Sequence, residues 1–213
     1  MKGITIHHRV SPMNRISKSQ LSLCAAAALA TAIAVSGCSK APEAEQAPQA
    51  ASAPAAPLVE AADMATPLTQ EQAGAQYKIA AEPVLVNNGE TLRTVVSVTN
   101  TGKVAISTKG KLPVNLAISL VDPSGAMVAR DFVRASLPAN GIAAGATEDV
   151  VAEVPAKDVL GKSLRFGLVQ EAVVWFSDFN VATLDYGPLT ACEDQGKPTI
   201  CGKDAKPLQH AAQ

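Results

Sequence analysis

An all-β fold is what these 213 residues predict, and three observations carry it. Short apolar stretches between residues 84 and 186 alternate with polar residues at a period of two. Clusters of Gly, Pro, Asn and Asp separate them. No stretch of useful length keeps a helical period, beyond a single turn near Ala156–Leu160.

The elements follow in order. Val84-Leu85-Val86, the pair Asn88-Gly89 and the run Thr91 to Val98 read as a hairpin, because both turn residues tolerate positive φ. In its second strand Leu92, Val96 and Val98 share one face, with Arg93, Ser97 and Thr99 opposite. Pro113 opens the clearest strand, in which Val114, Leu116, Ile118 and Leu120 alternate with Asn115, Ala117 and Ser119. Asp122-Pro123-Ser124-Gly125 fits a type I turn, and Met127 to Val133 supplies the partner strand. Leu137 to Ala146 is a loop. Val150, Ala152 and Val154 form the next strand, Leu164, Phe166 and Leu168 another. Val173 to Phe176 and Ala182 to Tyr186 complete the set. Seven to eight short antiparallel strands over residues 76–190 match a single immunoglobulin-like β-sandwich.

Residues 1–37 are expected to be removed rather than folded. Lys2, Arg9, Arg15 and Lys18 precede an apolar core, Leu21 to Val35, and no acid occurs before Glu43. As a helix that core reaches only about 22 Å, short of a hydrocarbon layer of about 30 Å. This is the pattern of a secretory signal peptide; Met13 offers a second start of ordinary signal length. The four residues that follow the core, Val35-Ser36-Gly37-Cys38, resemble the lipobox of bacterial lipoproteins. The resemblance implies cleavage before Cys38, lipidation of Cys38 and attachment to a membrane. Ser39, where that family uses aspartate for inner-membrane retention, implies the outer membrane, with the chain facing the periplasm. Without lipidation, Cys38 would be a free thiol or a disulfide partner.

Residues 38–75 are expected to form a disordered tether. Of residues 41–65, 11 are alanine and four are proline, and none is aromatic. Such a chain spans roughly 35 Å as a coil and about 110 Å as polyproline II.

Signal cleavage decides much of the chemistry. The mature chain carries 14 basic and 19 acidic residues, a net of about −5, so no basic field recruits nucleic acid. His210 becomes its one histidine, which leaves no imidazole for a catalytic triad, a Cys-His pair or a multi-histidine metal site. No opposed carboxylate pair, phosphate loop or calcium loop is present. The expectation is a non-enzymatic chain without cofactor or metal. Cys192 and Cys201 lie beyond the last strand, in residues 191–213, read as a disulfide loop and flexible tail. In an oxidising periplasm they pair structurally, their spacing being wrong for redox catalysis.

Residues Val98 to Gly102 (VTNTG), Pro113 to Gly125 (PVNLAISLVDPSG) and Arg165 to Asp178 (RFGLVQEAVVWFSD) resemble, in order, a small β-sandwich domain of some bacterial glycosyltransferases. They are similar also to the glycan-recognising C-terminal domain of polysaccharide-exporting ABC ATPases. The resemblance covers roughly residues 90–180 and implies an envelope polysaccharide as ligand. This chain departs from the pattern in the strand after PVNL, which has Ala117, Ile118 and Ser119 in place of aromatic or histidine residues.

Four of the seven aromatic residues, Trp175, Phe176, Phe179 and Tyr186, fall within twelve positions. They are either core or, with Asn180, Asp178 and Gln170, a surface that stacks on a sugar ring. Trp175 and Phe176 are adjacent in a strand and must face opposite ways. Two expectations result: recognition of an envelope polysaccharide at Trp175, Phe176, Phe179, Tyr186 and Asn180, or docking of an envelope protein partner through an open strand edge or the disulfide loop.

Overall fold

A computed structural model of the chain describes residues 61–211. The expected signal peptide, the lipidation expected at Cys38 and residues 38–60 of the expected tether lie outside the described residues. Two sheets face each other. One has the order β10-β1-β2-β5, from Gln209–His210 (β10), Ala75–Val86 (β1), Thr91–Asn100 (β2) and Thr147–Pro155 (β5). The other has the order β4-β3-β6-β8-β9, from Met127–Ser136 (β4), Val114–Val121 (β3), Lys162–Gln170 (β6), Leu184–Asp194 (β8) and Lys197–Cys201 (β9). The short β7, Val174–Trp175, pairs with β6. The chain is thus all-β, in a sandwich-like arrangement.

The alternation read from the sequence builds the core. Leu92, Val96 and Val98 of β2, Leu116 and Ile118 of β3, Val150 and Val154 of β5, and Leu164, Phe166 and Leu168 of β6 are all buried between the sheets. Each such side chain contributes roughly 1.5–3 kcal/mol. Asn87, Asn88 and Gly89 take positive φ in the first turn (50°, 57° and 90°), as the expected hairpin requires. The Asp122 turn also forms: Gly125 N–H donates to the Asp122 carbonyl at 2.9 Å.

Two tyrosines tie the sheets together. Leu168 N–H of β6 donates to Tyr77 Oη of β1 at 2.9 Å, and Tyr186 Oη of β8 donates to Glu82 Oε1 of β1. Burial pushes both phenols well above their ordinary range, and for Tyr186 the Glu82 carboxylate adds to the shift.

Three segments differ from the sequence reading. β1 begins at Ala75, not near Val84, because two bulges between Ile79 and Val84 break its period of two. The expected tether ends before residue 75: Met64 and Leu68 are buried on the sandwich. Met64 N–H donates to Lys109 O (3.0 Å), and Leu112 N–H to Met64 O (2.9 Å). Gly110, at φ 99°, permits this contact, since a Cβ there would stand 2.3 Å from Asp63 Oδ1.

Residues 191–213 are likewise not a loop with a flexible tail in their described part. β8 runs on to Asp194 and turns through Gln195-Gly196 into β9. Leu208 then buries its side chain and donates its N–H to Ile200 O at 2.9 Å. β10 pairs with β1 in the fold's one parallel ladder among the described residues. The segment Pro207–Ala211 therefore joins β9 to β1 and closes one side of the sandwich.

Candidate functional site

The ends of the sandwich differ, and the chain itself sets the difference. At the entry end stand the start of β3, the ends of β2 and β6, and the docked residues 61–74. Gln170, the last residue of β6, is fully buried there. Its Oε1 accepts from Leu68 N–H at 2.7 Å, and its Nε2 donates to Thr66 O at 2.9 Å and Leu112 O at 3.1 Å. Two of these bonds go to the docked segment and the third to Leu112, in the loop before β3. Asn100, in the VTNTG stretch, does the same for the neighbouring loops: Nδ2 bonds Val104 O and Ile142 O, and Oδ1 accepts from Gly102 N–H.

At the far end, beyond the starts of β2 and β6, a groove of about 890 Å³ opens. One wall is the first turn, Asn88 to Thr91, with Leu85 beneath it; another is Pro155 to Lys157 with Leu160; the third is the disulfide hairpin, through Ala191, Cys192 and Pro198 to Ile200. Cys192 and Cys201 are bonded, with Cα atoms 5.8 Å apart, and brace that third wall. His210 lines the groove as well. It is a strand residue held beside Gly89 rather than a free tail, and a Cβ on Gly89 would come within 3.3 Å of its ring. Leu160 is 39% exposed at the rim. The lining mixes aliphatic residues with polar ones and contains no Phe, Tyr or Trp.

The five residues singled out as a sugar platform do not share one surface. Phe176 and Tyr186 are core, each 1% exposed. Trp175 is half-buried; the expected strand Val173–Phe176 ends at Trp175, and Phe176 opens the short turn that follows, so strand alternation does not set their separate environments. Phe179 is half-buried, and Asn180 is exposed as a left-handed residue (φ 62°) closing the short turn Phe176–Phe179. Gln170, placed near this group by sequence, is committed to the entry end.

Trp175 has other company. The guanidinium carbons of Arg130 and Arg134 each lie 4.7 Å from its ring centroid. Arg130 also pairs with Asp178 at 3.0 Å, and Arg134 with Glu171 at 3.0 Å and with Asp131. Each guanidinium over an indole contributes about 0.5–1 kcal/mol. Arg130 and Arg134 thus flank the Trp175 ring, while Arg130 and Asp131 stay exposed on β4. Only a slot of about 40 Å³ remains beside the ring.

Among the described residues, no three His, Cys, Asp or Glu side chains are grouped so as to hold a metal ion. Likewise among the described residues, no helix is long and apolar enough to cross a membrane. Comparison with known proteins adds nothing to this geometry: no family model, no curated protein and no solved structure matches the chain.

Proposed function

We propose that this chain is a non-catalytic, lipid-anchored docking module of the cell envelope, held at the outer membrane on the periplasmic side through Cys38. Its ligand is a protein partner seated in the far-end groove. One observation carries the reading: the tether joins at one end of the sandwich and the groove opens at the other. The nine residues of β6 separate the two by about 30 Å. A module built this way offers its concavity away from its point of attachment, over a radius set by the tether. The aliphatic lining and the exposed Leu160 suit an apolar side chain from a partner. A sugar would find no Phe, Tyr or Trp ring in the groove to stack on.

The test places a photo-crosslinking residue at Leu160 and, as control, at Glu71 near the entry end, in cells carrying the lipidated chain. A discrete protein adduct from position 160, absent from position 71 and lost when Lys157 and Ile200 are both changed to Asp, supports the reading. Saturable binding of purified envelope polysaccharide that is abolished by Trp175→Ala and indifferent to the groove would replace it with glycan recognition. The anchor has its own check: Cys38→Ser must move the protein from the membrane to the soluble periplasmic fraction.

A further inference from the structure

A sandwich has four edge strands, and three of these are closed or disrupted. Pro207–Ala211 bridges β9 to β1 at Val84 and Leu85, and two register shifts interrupt β1 between Ile79 and Val84. β4 is an edge, but two register shifts interrupt its pairing with β3, and Arg130, Asp131 and Arg134 stud it. Bulges and charges of this kind blunt an edge. β5 differs. Its nine residues pair with β2 in unbroken register, from Thr91↔Pro155 to Thr99↔Thr147. Among the described residues its other side forms no strand pairing, although β4 of the facing sheet approaches it.

The outward residues of β5 define what could pair there. Asp149, Val151 and Glu153 alternate along the solvent face, and Val151 at the centre is 53% exposed. Glu148 and Asp149 form no ion pair among the described residues, whereas Glu153 is held by Arg93 at 2.7 Å. β5 contains three acids and no basic residue. If two copies of β5 paired antiparallel about Val151, each Asp149 would face a Glu153. Like charges directly opposite one another destabilise such a ladder. The edge therefore admits strand addition, and in the register centred on Val151 it disfavours its own copy.

We propose that β5 accepts an extended segment of a partner protein as an added antiparallel strand. That segment carries Lys or Arg two positions either side of an aliphatic residue, so that cations face Asp149 and Glu153 while the aliphatic side chain covers Val151. Main-chain bonds supply the attachment and the charges supply selection and register. This surface shares only Pro155 with the lining of the far-end groove, and the crosslinking and exchange tests read different residues, so either assignment can fail alone.

The probe is a nine-residue peptide of threonines with a central valine and lysines two positions to either side; its counterpart carries glutamates in place of the lysines. Both are added to the unlipidated mature chain (Cys38→Ser) while amide hydrogen exchange is followed residue by residue. The lysine peptide is expected to slow exchange at β5 amides facing away from β2 by roughly tenfold or more. High salt should weaken the effect, and the glutamate peptide should have none. In the double variant Asp149→Lys, Val151→Lys, checked for intact β2–β5 protection, the preference should fall away or invert. Protection confined to β4 or to the groove, an equal response to both peptides, none at millimolar peptide, or self-association through β5 would each overturn the proposal.

Discussion

Replacing Gln170 by Leu removes a side chain of similar size that makes three hydrogen bonds to the arriving chain and its neighbour. At about 1 kcal/mol net per bond the loss is about 3 kcal/mol. Holding residues 61–74 in place would leave Leu68 N–H, Thr66 O and Leu112 O buried and unpaired, at about 1–3 kcal/mol each. Lifting that segment into water costs less, so the variant is expected to release it. Two measurements read this. Urea unfolding should show the lost stability, and hydrogen exchange should show Met64, Leu68 and Leu112 amides unprotected while the amides of β2 and β6 stay protected. A loss under about 0.5 kcal/mol with the Leu68 amide still protected would refute the clamp. Gln170→Glu adds a charge test. One carboxyl oxygen can still accept from Leu68 N–H, but the other faces two carbonyl oxygens. Ionisation is thus penalised in the folded state, and the folded pKa is raised above the unfolded value of about 4.3. The variant's deficit should be smallest below that pH and grow as pH rises to the folded pKa.

Three other predictions test other parts of the fold. Thr94 Oγ1 is buried without a hydrogen-bond partner, so Thr94→Val, which keeps the β-branched shape, should stabilise the domain by about 1 kcal/mol in urea unfolding. Reducing Cys192–Cys201, or replacing both by Ala, should lower stability by about 2–3 kcal/mol and Tm by roughly 5–10 °C, with hydrogen exchange rising first along β9. Asp122 is held below the ordinary carboxylate range by the Ser124 hydroxyl and by backbone N–H groups of the turn. Its small contribution is present above the unfolded pKa and lost as pH falls through the folded one, so Asp122→Asn should flatten the acid limb of the stability–pH curve.

Periodicity made the fold legible, and it also carried a signal that points to the entry end. Leu164, Phe166 and Leu168 define the buried positions of β6, and the next position of the same parity is Gln170. Leu92, Val96 and Val98 do the same for β2, and the next is Asn100. A polar amide on a buried parity must find partners for all its hydrogen-bonding atoms. Such a residue therefore marks a place where loops are gathered, and both amides do gather them.

Periodicity could not reveal the surroundings of Trp175. Arg130 and Arg134 flank it from β4, a different strand whose pairing with β3 shifts register between Ile118 and Leu120. A bulge changes which residues lie opposite one another without changing composition or period in an obvious way. The groove was hidden for a related reason. Its walls come from residues 85–91, 155–160 and 191–200, and they meet only once Leu208 and β10 have drawn the chain's end against β1. Nothing local in QHAAQ or in the Cys192–Cys201 hairpin announces that closure. What announces it is Leu208, an aliphatic residue in a polar stretch beyond the last expected strand, which needed somewhere to be buried. That single unplaced side chain is the feature from which the closed side of the sandwich, and with it the contrast that leaves β5 open, could have been argued.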